Sequence, residues 1–304
     1  MTATGEYRDG VALWSAVTAR ATTTAKATGV AAGAVVRRFM FGRFLARVFH
    51  DDSAPWVLKG GTAVLARVHD ARTTKDVDLL NEELDLERAI QALRSAVALD
   101  LHDHFRFVVT YVETNLGGAG QPEMDGCRVS INAYCGAKKT AFGVDLVTGS
   151  LMTTAPEVRT VPVLDLRGFQ APTIRLYPVV DHIADKLCAT QAMYGTDGNR
   201  RSSRVRDLVD LVVFTRSQDV DGGELINAIR GEWTHRGLPG SATFDPPSTW
   251  EQLYPPLARK VPVVADLTSF SEAVALVHTL LDPALDGTAD GRRWVAGDLA
   301  WHDV

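Results

Sequence analysis

Between residues 56 and 80 the spacing of apolar positions changes three times. Trp56, Val57 and Leu58 form a short apolar run, which leads into Lys59-Gly60-Gly61-Thr62. Ala63, Val64, Leu65, Ala66 and Val68 then follow a helical spacing. From Lys75 to Leu80 the period falls to two, which puts Asp76 and Asp78 on one face and Val77 and Leu79 on the other. The predicted order is strand, glycine turn, helix, strand. Two carboxylates side by side on a strand repel each other, so this segment needs a compensating charge from elsewhere.

The rest of the chain divides by the same criterion. Residues 1 to about 50 read as helical; within 29–50, Arg37, Arg38, Arg43 and Arg47 interleave with apolar positions and are expected to form a solvated face. The Asp51-Asp52-Ser53-Ala54-Pro55 cluster ends that helix. Residues 81–99 predict an amphipathic helix opened by acidic residues, which favour the positive end of a helix dipole. Three strands are predicted next, at 105–113, 127–134 and 140–147. The turns NLGGAGQPEMDG and CGAKK separate them. In the third, Phe142, Val144 and Leu146 share one face and Asp145 lies on the other with Gly143 and Val147.

A β-rich stretch at 157–166 and 174–177 closes this half. From Pro178 the pattern is helical: Val180, Ile183, Ala184, Leu187 and Cys188 form a stripe with Asp181, Asp185 and Lys186 alongside. After the loop GTDGNRRSSR, Val205, Leu208, Val209 and Val212 form another apolar face, with Asp207 and Asp210 lined up on a different one. The remaining segments predict further helices. The expected fold class is therefore mixed α/β (α+β), with an N-terminal domain (1–177) of leading helices and a mixed sheet. A mainly helical C-terminal domain (178–304) is expected to contribute to the site.

Composition narrows the function classes. The 304 residues are 46% hydrophobic, an ordinary globular content. No run of about 18 apolar residues and no signal-peptide pattern is present, so a soluble cytoplasmic protein without a membrane partner is expected. Cys127, Cys135 and Cys188 are odd in number and lack zinc-site spacing, which points to buried thiols in a reducing compartment. A formal charge of −5 argues against coating nucleic acid with the whole surface, although a local basic patch is compatible with it. His102 and His104 lack further ligands and read as a turn. Arg200, Arg201, Arg204 and the pair Lys138-Lys139 read as solvated charge unless the fold gathers them beside the site.

The chemistry centres on three carboxylates. Asp76 and Asp78, with Asp145 from a neighbouring strand, offer hard oxygen ligands suited to Mg²⁺ or Mn²⁺. The glycine turn opening a helix offers N–H groups and a positive dipole end to a phosphate chain. Together they describe a nucleoside triphosphate (NTP) site in which one ion positions the triphosphate and a second lowers the pKa of an attacking hydroxyl. A Walker-type ATPase is disfavoured because GxxxxGK[ST] is missing.

The order of these motifs resembles the polymerase-β-like nucleotidyltransferase superfamily, hG[G/S] followed by hDhDh and then a third acidic strand. Extended to VLKGGTAVLARV, RTTKDVDL, Asp185-Lys186-Leu187 and Arg204-Val205-Arg206-Asp207-Leu208-Val209-Asp210-Leu211, it resembles the AbiEii/AbiGii toxin family over roughly residues 30 to 285. That resemblance implies the toxin of a bacterial type IV toxin–antitoxin system, paired with a DNA-binding, AbiEi-like antitoxin. MenT-like members transfer nucleotides from NTP to the 3′ acceptor end of tRNA and block translation.

Carried over by position, Lys59, Gly60, Gly61 and Thr62 would bind nucleotide, with Gly61 and Thr62 on phosphate. Asp76 and Asp78 would be catalytic and hold metal, with Asp145 as the third acidic position. Lys186 would neutralise triphosphate charge, and Asp207 would supply the carboxylate of the [K/R]D motif. Here that motif reads Arg206-Asp207 where many relatives have Lys-Asp, so no catalytic role passes to Arg206. Asp210 is expected to partner a neighbouring basic residue. Thr62, Thr73 and Thr74 are expected to make ordinary backbone or phosphate contacts. Two other readings stay open: nucleotidylation of a protein or small molecule such as an antibiotic, and a non-catalytic regulator on the same fold.

Overall fold

The computed structural model describes residues 6–51, 53–68, 71–72, 74–82, 85–114, 125–162, 164–195 and 198–304. Thr73 and most of the NLGGAGQPEMDG turn lie outside the described residues. Two leading helices, α1 (Gly10–Thr28) and α2 (Ala32–Val48), open the fold. The Asp9 side chain accepts a hydrogen bond from the Ala12 N–H and caps α1, and Gly29 ends it in the left-handed conformation.

Seven strands follow: β1 (Trp56–Lys59), β2 (Val77–Asn81), β3 (Phe105–Glu113), β4 (Gly126–Cys135), β5 (Lys138–Val147), β6 (Glu157–Thr160) and β7 (Thr173–Leu176). They form one sheet in the order β3-β4-β5-β2-β1-β7-β6. β2 runs parallel to β5 and β1 parallel to β7, while the other neighbours are antiparallel, so the sheet is mixed. Helices α3 (Gly60–Arg67) and α4 (Leu86–Val97) connect β1 to β2 and β2 to β3. Phe39 and Phe44 of α2 pack edge-on against Phe105, Phe107 and Phe142 of the sheet and anchor its core.

The second half is mainly helical: α5 (Val179–Gln191), α6 (Val205–Ser217), α7 (Gly222–His235), α8 (Tyr254–Ala258) and α9 (Phe270–Asp286). Their buried faces form a second core that includes Val64 and Ala71, whereas Ala63 and Ala66 belong to the first. Helix α3 thus buries one face against each core. None of the described helices is long and apolar enough to cross a membrane. Cys127, Cys135 and Cys188 are free and buried.

One expectation is corrected. Arg43 and Arg47 of α2 are not on a solvated face; both are buried. Arg47 Nη2 donates to Asp103 at 2.7 Å and Arg43 Nε donates to the same carboxylate at 2.8 Å, while Arg47 also donates to the carbonyls of Leu99 and Phe105. Packing the apolar stripe of α2 on the sheet carries these arginines inward, and a fully buried carboxylate needs such partners. The second half, mainly helical as expected, also carries a small sheet. β9 (Arg292–Val295) and β10 (Ala300–Asp303) form a hairpin that joins β8 (Val220–Asp221) in a small sheet. Its anchor is Trp294, which stacks edge-on with Trp301 and donates Nε1–H to the Thr215 carbonyl. Such a short hairpin depends on this tertiary packing, which period-two patterning alone does not reveal.

Candidate active site

Sheet register builds the site. Arg128 on β4 pairs with Asp145 on β5, Asp145 with Asp78 on β2, and Asp78 with Lys59 on β1. Directly paired residues share a face, so the four form one row across the sheet with two carboxylates between two cations. Asp76 precedes β2 by one residue, and its main chain is held from two sides. Thr62 Oγ1 and Thr74 Oγ1 both donate to the Asp76 carbonyl, at 2.9 and 3.0 Å.

The two glycines of the turn make room for charged side chains. Gly60 has φ +57°, and a Cβ there would lie 2.1 Å from an Asp78 carboxylate oxygen. A Cβ on Gly61 would lie 2.9 Å from the Arg72 guanidinium. The backbone of the turn can therefore lie directly against both groups, which any larger residue would prevent.

Opposite the sheet stands the wall formed by α5 and α6. Lys186 is buried there, with Nζ donating to Asp207 at 2.6 Å and lying 3.0 Å from Asp210. Arg204 Nε donates to the other Asp207 oxygen at 2.6 Å. Arg72, from the segment between α3 and β2, reaches across and donates both arms of its fork to Asp210 at 2.8 and 2.9 Å. Asp185 accepts from Arg236 Nη2 at 2.6 Å and lies 3.9 Å from the Lys59 ammonium. Lys59 also donates to Ser150 Oγ at 3.0 Å and sits over the Tyr177 ring.

Between the two walls lies a cavity of about 690 Å³, large enough for a nucleotide. Lys59, Gly60, Gly61, Asp76, Asp78, Asp145, Lys186 and Asp207 all line it. Thr62 does not; its hydroxyl is committed to the Asp76 carbonyl and its side chain is buried beneath the turn. Through that bond it supports the main chain of Asp76. Asp210 is likewise buried, as the partner of Arg72 and Lys186. Lys138 and Lys139 occupy the opposite end of β5 from Asp145, about 23 Å away along the strand, outside the site.

The two walls differ in their protonation behaviour. Burial and the adjacent Asp145 push Asp78 up to about 6, despite the opposing pull of Lys186 and Arg72. Burial also raises Asp145, an effect that Arg128 opposes. On the helical wall burial alone would lower the Lys186 pKa, but Asp207 and Asp210 outweigh it and hold Lys186 above its ordinary value. Lys186 is accordingly a permanent cation rather than a proton acceptor. Burial alone would raise Asp210, and Lys186 with Arg72 reverse this and hold it well below the usual carboxylate range.

The arrangement suits binding of a polyanion together with a divalent cation. Carboxylate oxygens are the hard donors such an ion prefers, and two neighbouring carboxylates raised in pKa gain from its charge. In this conformation, however, no three His, Cys, Asp or Glu side chains among the described residues converge closely enough to hold one. Arg128 intervenes, donating to Asp145 at 2.8 Å and to Asp76 at 2.7 Å.

Pattern reading missed Arg72 and Arg128. Arg72 was visible only as part of the RTTKDVDL stretch, and the partnership of Arg128 depends on strand register, which has no local signal.

A glycine turn at the head of a helix thus faces strand carboxylates, with a buried lysine opposite. The family described as nucleotidyl transferase AbiEii toxin of type IV toxin–antitoxin systems matches residues 43–276, most of the chain, and this protein belongs to that family. No curated protein sequence matches significantly. Among solved structures, JHP933 from Helicobacter pylori is similar over 84% of this chain and 94% of its own, at 15% identity and a TM-score of 0.44. The antibiotic-resistance factor ANT(2'')-Ia aligns over 79% of this chain and 97% of its own, at 16% identity and a TM-score of 0.26.

Proposed function

We propose that the protein is a divalent-ion-dependent nucleotidyltransferase toxin that transfers a nucleoside monophosphate from NTP to the 3′ end of tRNA and so blocks translation. The observation that carries the transferase reading is the convergence of Gly60, Gly61, Asp76, Asp78, Asp145, Lys186 and Asp207 on one cavity. Asp76 and Asp78, with Asp145, are the residues that would hold Mg²⁺ or Mn²⁺. When bound, the ion would supply charge neutralisation at the triphosphate and a lowered pKa at the attacking hydroxyl.

Gly60 and Gly61 at the head of α3 line the cavity, where the free N–H groups of a helix start can receive phosphate oxygens. Lys186 adds a positive charge that does not titrate near neutrality. Its carboxylate partners hold the ammonium in place, so its position is set before the substrate arrives. Asp207 serves by orienting Lys186 and Arg204 together.

RNA rather than a small acceptor is supported by the approach to the cavity. Arg72, Arg204 and Arg206 line it, and Arg204 and Arg206 are exposed. Exposed arginines beside a phosphate-transfer site suit an acceptor whose own backbone is a chain of phosphodiesters. The family description also supports a cognate antitoxin, for which a small DNA-binding protein encoded alongside is the proposed partner.

The test is incubation of the purified protein with each labelled NTP, Mg²⁺ and total tRNA. Label should enter the tRNA 3′ end with at least one nucleotide. Asp76→Ala should reduce transfer by more than about 100-fold, exceeding the loss typical of groups one step removed from a metal. Transfer to no acceptor with any nucleotide, or undiminished transfer by the variant, would sink the catalytic reading. Labelling of protein instead of tRNA would redirect the acceptor.

A further inference from the structure

The acidic wall already contains a cation, and its placement is specific. Arg128 Nη1 donates to both oxygens of Asp145, at 2.8 and 3.2 Å, while Nη2 donates to Asp76 at 2.7 Å. One guanidinium thus spans two of the three carboxylates on which the proposed divalent ion depends. The planar fork fits this bridge, whereas a lysine ammonium would not span it with the same geometry.

Two features make the bridge a built one. Asp145 and Arg128 are directly opposed across β4 and β5, so the backbone itself sets their separation. Two residues before Asp145 on β5, on the same face, stands Gly143, where a Cβ would fall 2.6 Å from Arg128 Nη2. Only a residue without a side chain allows the guanidinium to lie across the strand towards Asp76. The Arg128 side chain is also 38% exposed, unlike Lys186, so it has an open path away from the carboxylates.

We propose that Arg128 is an internal counter-ion for the acidic wall: it holds Asp76 and Asp145 in the metal-free protein and releases them when a divalent ion binds. This rests on the reading of the wall as a divalent-ion site. Without Arg128, the strand carboxylates would face each other with only their distant partners on the helical wall. With it, they keep their places, and the entering ion exchanges one positive charge for two. Release also frees a guanidinium at the edge of the phosphate-transfer site. Arg128 is therefore a positioning residue and a competitor of the metal, not one of its ligands.

The competition predicts a sign that a purely supporting arginine would not produce. Titrating the intact metal-free protein with Mn²⁺ and reading free ion by electron paramagnetic resonance should show Arg128→Gln binding about tenfold more tightly than wild type, the scale of two half-exposed ion pairs. Arg128→Lys should fall between them. Equal or weaker Mn²⁺ binding by Arg128→Gln would overturn the proposal, because an arginine that only orients the ligands is needed for affinity. Failure of both wild type and variant to bind Mn²⁺ would instead remove the divalent-ion reading itself. A second measurement reads the wild type and needs no change in a variant's affinity: the arginine side-chain NMR signal that is missing in folded Arg128→Lys should shift in wild type on saturation with Mg²⁺. An unmoved signal, with Mg²⁺ binding shown by calorimetry, would also overturn it.

Discussion

The two walls of the cavity hold similar residue types in opposite states. On the helical wall, Lys186, Arg72 and Arg204 face Asp207 and Asp210 at hydrogen-bond distance, and the buried charges are matched. On the sheet wall, Asp76, Asp78 and Asp145 crowd together, and among the described residues the one cation paired with them, Arg128, is partly solvated and bonds to Asp76 and Asp145. The first wall is a finished structure whose parts hold each other in place. The second keeps an excess of negative charge that a ligand can relieve. The pKa directions express the same contrast: Asp210 is held down by its cations, whereas burial and Asp145 raise Asp78.

Breaking the matched wall should have the largest effect on stability. Asp210→Ala leaves Arg72 and Lys186 without a fully buried shared carboxylate, so the unfolding free energy from urea denaturation should fall by about 3–5 kcal/mol. A loss below about 1 kcal/mol would mean that the two walls are energetically alike.

The corresponding change on the sheet wall should act in the opposite direction. A carboxyl raised from 3.8 to about 6 favours its protonated form in the folded chain. Its contribution to stability is present below about pH 4 and is lost as the pH rises through about 6. Asp78→Asn should therefore raise the metal-free Tm at pH 7.5 by about 2 °C and leave it unchanged near pH 4, while abolishing nucleotide transfer. A lower Tm at pH 7.5 in this variant would show that Lys186 and Arg72 already compensate Asp78 fully.

The smallest effect marks the boundary of the site. Lys138 and Lys139 are exposed at the far end of β5, and replacing both by alanine should change the rate of transfer to tRNA by less than about twofold. A larger loss would extend the RNA path along the whole strand.

Much of this architecture is legible in the residue pattern. The β1 turn α3 unit, the three strands from β3 to β5 and the helices α5 and α6 were predicted to within a few residues because each has a strong local period. The same holds for the separation of Asp145 from Phe142, Val144 and Leu146, which follows from strand geometry. What failed were inferences about partners. Arg43 and Arg47 look like a solvated face until Asp103 is brought between them.

The chain by itself therefore determined the glycine turn, the spacing of Asp76 and Asp78, the Lys186 helix and the Asp207 helix, because those are properties of contiguous residues with a fixed repeat. Only the tertiary structure decided that Arg128, Asp145, Asp78 and Lys59 form one row, and that Arg72 ties the turn to Asp210. Register and long-range ion pairing join residues as far apart in sequence as Arg72 and Asp210, 138 positions. A local period carries no information about such distances; what selects the partners is the cost of leaving buried charge unpaired.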